Sequence, residues 1–197
     1  MYTEIHALMA ALSRAGVLTE TSVSTALIAF AQALEDPDFG AEILCELALE
    51  LVKAGQFERA EEAARLIKGQ EKSDCLRRVA EGEARQGQPE RAMTLFQDAC
   101  QAAFIYEFPT QQAQNVAEVG RSLEGVDKKA AIRTWKEAVQ IAIPAQAAAG
   151  TDGPEASGVI FEAVEALIRL GETENARETA NLISMVPLRE RALTACK

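Results

Sequence analysis

Cysteine, histidine and clustered carboxylate are the residue types that could carry chemistry in this chain. Its four cysteines, Cys45, Cys75, Cys100 and Cys196, form no C-x-x-C pair, and the single histidine is His6. A structural zinc ion needs about four converging thiolate or imidazole ligands, so the set predicts no metal centre. Reduced, mostly buried thiols are the expectation. His6 is expected in a groove or on a solvated helix face, where one imidazole makes neither a metal site nor a pH switch. No spacing suits a Ser, His and Asp set, a phosphate loop or H-E-x-x-H. The glycines of GTDGPEASG at 150–158 lack the dinucleotide-binding order and follow no strand, so that stretch reads as a flexible linker that breaks the repeat pattern. The chain is expected to have no catalytic residues, cofactor or metal.

Carboxylates are the more informative group. With a net charge of −10 and a pI near 4.8, the average surface repels phosphate backbones and anionic lipid. That disfavours nucleic acid and membrane partners and favours a basic protein segment. No apolar run approaches the roughly 18 residues of a bilayer span. Glu4 stands where a secretory signal would carry Lys or Arg, so the expected location is cytoplasmic.

The elements that must position these groups are helical. Hydrophobic residues make up 48% of the chain but aromatics only 5%, and Ala, Leu and Glu both form helices readily and let helices approach closely. The phrase G-Q-x-E-R-A occurs at 55–60 and again at 87–92. Before the first copy lie Leu44, Leu47, Ala48 and Leu51, and within and after it Ala60, Ala64 and Ile67, two stripes at helical spacing separated by Gly55. The second copy gives Leu76, Val79 and Ala80, then Gly87, then Ala92, Phe96 and Ala99, with Pro89 where a first-turn proline loses no useful hydrogen bond. The pattern returns around Ala176 with Gly171. It returns more loosely around Ala131, where Gly125 lies in a turn two residues longer and Trp135 falls in a core slot. A fifth copy at the N-terminus combines Ile5, Leu8, Met9 and Leu12 with Ala26, Phe30 and Ala33 as the packing residues of its second helix.

These anchors, at 26, 60, 92, 131 and 176, predict five antiparallel hairpins over about 3–36, 39–68, 71–106, 110–148 and 157–185. A hairpin of that size cannot bury its apolar face alone, so neighbours stack into one continuous core. LRERALTACK resembles the first helix of a further unit and predicts a capping helix over 187–196. The fold class is therefore all-α, a right-handed superhelical array in a single helical-repeat domain, 1–197. The aromatic run Phe104, Ile105, Tyr106 and Phe108 is expected to fill the gap left by the long third spacing, with an exposed contact patch as the alternative.

A small residue twelve before the anchor alanine, a glycine five before it, an aromatic four after and a small residue seven after together resemble the tetratricopeptide repeat, a 34-residue helix-turn-helix unit. Ala80, Gly87, Ala92, Phe96 and Ala99 carry all five positions, and Ala48, Gly55 and Ala60 carry three. No unit has the family's early tryptophan, so the resemblance is to a degenerate, tetratricopeptide-like array. It implies a concave groove lined by the first helix of each hairpin. Helical phase nominates Glu42, Cys45 and Leu49 from the second hairpin and Asp74, Arg77 and Glu81 from the third. From the fourth come Gln111, Gln114, Glu118 and Arg121, and from the fifth Phe161, Glu165 and Ile168.

Glu81, Glu118 and Glu165 share one register, an acidic ladder suited to a basic peptide and hostile to the carboxylate ligands that chaperone-binding members of the family grip. The expected function is a non-enzymatic scaffold binding a protein or peptide segment. The alternatives are a self-associating structural repeat protein, a homo-oligomer without a peptide ligand, and a helical-repeat nucleic-acid binder, which the negative charge opposes.

Overall fold

The structure is a computed structural model describing residues 2–18, 20–147 and 152–196, with the side chains of 2–6 and 152 outside the description. Ile5 and His6, and residues 150–151 of the expected linker, therefore fall outside the described side chains or residues. Among the described residues every regular element is an α-helix, eleven in all, and helices pack on sequence neighbours in the manner of an all-α repeat array. They are α1 (Tyr2–Arg14), α2 (Thr21–Ala33), α3 (Pro37–Lys53), α4 (Phe57–Leu66), α5 (Glu71–Arg85), α6 (Pro89–Ala103), α7 (Pro109–Leu123), α8 (Lys128–Ala145), α9 (Asp152–Arg169), α10 (Thr173–Ala180) and α11 (Val186–Ala195). The chain divides into two compact units, Met1–Ala102 and Ala103–Lys197.

In the N-terminal unit the repeated phrase does what its residues dictate. Gly55 and Gly87 adopt φ of 73° and 78°, the left-handed conformation that ends α3 and α5 without a Cβ penalty. Their successors donate back to the helix, Gln56 to the Leu51 carbonyl and Gln88 to the Glu83 carbonyl, both at 2.9 Å. Asp36 starts α3 by accepting from the amides of Asp38 and Phe39 at 3.1 and 3.2 Å, with Pro37 in the first turn. The predicted stripes, Leu44, Leu47, Ala48 and Leu51 and then Ala60 and Ala64, are all buried.

Helices α3 and α5 run parallel and close. A Cβ built on Gly82 of α5 would lie 2.7 Å from Val52 Cγ1 of α3, and the Gln86 amide donates to the Val52 carbonyl at 2.9 Å. Gly82→Ala is therefore expected to cost about 1 kcal/mol, overpacking against a stiff β-branched side chain outweighing the better helix propensity of alanine. Gly158→Ala in α9, where nothing lies within 4 Å, is expected to stabilise by up to about 1 kcal/mol. Urea midpoints of the two variants should move in opposite directions.

Helix α2 departs from expectation. Phe30 is 45% exposed and Ala26 and Ala33 lie at the surface, while Ser24 and Ala31 face inward. The cause is Gly40 of α3: a Cβ there would meet the Ala31 carbonyl oxygen at 2.6 Å, so the bare helix backbone docks on α2 and sets its rotation. Leu8, expected in the α1 stripe, is also exposed, whereas Met9 is buried.

In the C-terminal unit α7 and α8 form an antiparallel pair around Trp135. The indole is fully buried against Gly120, whose added Cβ would sit 3.2 Å from the ring, and its Nε1 donates to Glu124 at 3.1 Å. The turn 124–127 is one residue longer than 54–56 or 86–88, not two, and Asp127 caps α8 by accepting from the Ala130 amide at 2.9 Å.

The expected linker is corrected from Asp152 onward, because α9 begins there. Pro154 is tolerated in a first turn, and Ser157 is buried, donating to the Gln146 side-chain oxygen at 3.0 Å. That oxygen also accepts from the Ser184 amide at 2.8 Å, while the Gln146 amide donates to the Leu182 carbonyl at 3.0 Å. Helix α11 lies where a cap was expected, against α9 and α10. Ala192 is buried there, and Arg177 donates to the Cys196 carbonyl at 3.3 Å.

Candidate functional site

A concentration of acidic side chains with open space beside it lies in the N-terminal unit, where α3 and α5 begin. Parallel packing brings two helix N-termini to one end, and each carries acids in its first turns, where the positive end of the helix dipole favours them. Asp36 and Asp38 come from α3, Glu71 and Asp74 from α5, and Glu42 and Glu46 from the next turns of α3. Together they surround a cleft of ≈ 560 Å³ with six carboxylates against one guanidinium, Arg78. Phe39, Ala41 and Cys45 supply its less polar wall. A cation entering it meets a concentrated negative field, and the alkyl stem behind that cation meets apolar surface.

A second cleft of ≈ 580 Å³ adjoins it. Glu46 and Arg78 line both, and Met9, Leu18 and Leu49 make the second one more apolar. Of the residues nominated from sequence, Glu42, Cys45 and Asp74 are brought together on the first cleft and Leu49 on the second.

The acidic ladder does not stand as bare charge. Glu81 accepts from Arg77 at 2.7 Å and from Arg85 at 2.9 Å, and Arg77 also pairs with Asp74. In the C-terminal unit Glu118 pairs with Arg121, which reaches on to Glu162 at 2.9 Å. Gln111 and Gln114 are exposed on α7, and Glu165 and Ile168 are half-buried on α9. Phe161 is corrected: it is buried, with the Arg191 guanidinium 4.7 Å from its ring centroid, so part of α11 occupies the surface that Phe161 was expected to offer. The aromatic filler is corrected too. Phe104, Ile105 and Phe108 are 49%, 56% and 51% exposed.

Sequence reasoning missed Asp36, Asp38, Glu46, Glu71 and Arg78. The signal for three of them, Asp36, Asp38 and Glu71, was present, as a cap and first-turn acids of two helices, but it reads as helix stabilisation until the helices are laid side by side. Arg78 donates to the Cys45 sulfur at 3.7 Å and lies 3.8 Å from Asp74.

Among the described residues no group of three or more His, Cys, Asp or Glu is placed to hold a metal ion, and no helix is long and apolar enough to cross a membrane. No family model matches the chain, and no curated protein matches it. Among solved structures, the crystal structure of Ton1535 from Thermococcus onnurineus NA1 is similar at 16% sequence identity and a TM-score of 0.39, over 99% of this chain and 81% of that one. A likeness that distant carries no argument about this chain.

Proposed function

We propose that this chain is a non-enzymatic interaction scaffold, a cytoplasmic, right-handed tetratricopeptide-like array, whose N-terminal unit captures a segment bearing Lys or Arg. The observation that carries the reading is the acidic cleft, six carboxylates around a partly apolar wall. Opposite charge steers such a segment in, and desolvation of its alkyl stem and neighbours holds it.

The test is selection from a peptide library by immobilised protein at low salt. Lys- and Arg-bearing peptides should be enriched, binding should weaken as salt screens the field, and Glu42→Lys with Glu71→Lys should abolish enrichment. Both residues are exposed, so the fold should survive with a melting temperature lower by only a few degrees, the cost of about 1 kcal/mol for placing a cation at the N-terminus of α5. Equal enrichment by the reversed variant would defeat the proposal.

The exposed Phe104, Ile105 and Phe108 favour a second reading, association of two copies through this patch. It predicts a dimer mass by light scattering that falls to monomer in a Phe104→Ser, Phe108→Ser variant; a monomer at high concentration would discard it.

A further inference from the structure

Cys45 and Cys75 stand on facing stripes of α3 and α5. Seven residues further along each helix come Val52 and Gly82, a close approach of the pair, so the same face that lacks a Cβ at Gly82 sets the two thiols against each other two turns earlier. On that register the Cys45 and Cys75 thiols are near enough to interact. Cys45, 7% exposed, also receives the Arg78 guanidinium at 3.7 Å and lines the acidic cleft. Cys75 is buried behind it at 1%. One thiol thus faces reagent, and the other faces only its neighbour.

We propose that Cys45 and Cys75 are a peroxide-reactive dithiol, in which a small neutral hydroperoxide entering the cleft oxidises Cys45 and Cys75 then closes a reversible disulfide between α3 and α5. In the first step the Cys45 thiolate attacks one peroxide oxygen. The O–O bond breaks, an S–O bond forms, sulfur is oxidised to sulfenic acid, and the departing oxide takes up a proton as water or an alcohol. In the second step Cys75 gives up its proton and attacks the Cys45 sulfur. The S–S bond forms, the S–O bond breaks, and hydroxide leaves with that proton as water.

The surroundings order the two steps. Interaction with Cys75 holds the Cys45 thiol below its ordinary pKa against the cost of burial. Arg78 assists this, while Asp74 and Glu46 oppose it. The same interaction, burial and the charge on Cys45 hold Cys75 far above the ordinary range; Asp74 adds to this and Arg78 opposes it. Cys45 is also the thiol that lines the cleft, with Cys75 buried behind it, and therefore reacts first. Its conversion to a neutral sulfenic acid removes the charge that kept Cys75 protonated. The six carboxylates select the reagent, because they repel anionic oxidants and admit neutral ones.

The experiment uses the reduced full-length protein at neutral pH, with peptide mapping by mass spectrometry. Cys45 should be alkylated by neutral iodoacetamide roughly tenfold faster than Cys100, although Cys100 is the more exposed thiol, and anionic iodoacetate should lose much of that preference. Equimolar hydrogen peroxide should join the Cys45 and Cys75 peptides, and dithiothreitol should release them. In Cys75→Ser, which keeps a donor, Cys45 should stay fast and accumulate a sulfenic acid trapped by dimedone. Cys75→Ala should slow it several-fold. Cys45 reacting no faster than Cys100 in the unmutated protein, or peroxide joining any other pair or none, overturns the proposal whether or not the variants fold. None of these readouts depends on peptide capture, so the two proposals fail separately.

Discussion

Glu83→Leu should raise the melting temperature at pH 8 by roughly 5–10 °C, corresponding to about 3 kcal/mol, and by clearly less at pH 5. Glu83 is fully buried on α5, and neither carboxylate oxygen has a protein hydrogen-bond partner. The nearest cation, Arg91, stands at 3.8 Å and is bonded elsewhere, to Glu58 at 2.6 Å and to Glu61. Burial first, then the Glu61 charge, pushes the Glu83 carboxyl up to about 7, with Arg91 opposing.

The sign follows from linkage. Below the ordinary carboxyl value of 4.5 both the folded and unfolded chains hold the proton, and the group costs nothing by this route. As pH rises towards 7 the unfolded chain releases the proton while the folded chain keeps it, so stability falls, and above 7 the full cost remains. Leucine is the replacement the repeats themselves supply. Glu83 stands four residues before Gly87, where Leu51 and Leu167 stand four before Gly55 and Gly171, and both leucines are fully buried. Calorimetry of the two proteins at pH 5 and pH 8 checks the prediction; an equal gain at both values would show that the carboxylate is not the cost.

Trp135→Ala should destabilise the C-terminal unit by about 3–5 kcal/mol, the range for deleting a large buried aromatic. Its ring lies against the bare backbone of Gly120, so no side chain can relax into the space from that side. Its Nε1 also fixes Glu124, which accepts from Arg169 at 2.9 and 3.2 Å and so ties α7 to α9. Trp135→Phe keeps a six-membered ring but loses the pyrrole portion and its donor, with an expected loss of about 1–3 kcal/mol. The chain has one tryptophan, so unfolding of the variants must be followed by far-ultraviolet circular dichroism. An alanine variant within about 1 kcal/mol of the phenylalanine variant would mean that the cavity collapses.

Where local chemistry sufficed, the sequence was readable. Gly55 and Gly87 end helices by a backbone conformation that depends on little beyond the turn itself, and the stripes around Ala60 and Ala92 are buried as their spacing requires. Trp135 is a core ring, and a helix stands at Val186–Ala195, where one was expected over 187–196. Where a partner element decides, it was not readable. The rotation of α2 is chosen by Gly40 on α3, so Ala31 docks and Phe30 faces outward. Phe161 is covered by Arg191 from a helix thirty residues later in the chain. The Gly-Pro of 153–154 resembles a breaker, yet Ser157, buried within the helix, donates to the Gln146 side-chain oxygen.

By itself, then, the amino-acid order determined most of the helices, the pairing of α3 with α4, α7 with α8 and α9 with α10, and the surplus of negative charge, because turn glycines, apolar periodicity and composition act over a few residues. The tertiary structure alone decided which acids share a space and which thiols face each other. Asp36 and Asp38 are ordinary acids at the start of one helix, and Glu71 and Asp74 at the start of another. Electrostatic fields add by distance through space, so only the parallel approach of α3 and α5, closed at Gly82, turns two helix starts into one anionic cleft with the Cys45 thiol in its wall and Cys75 behind it.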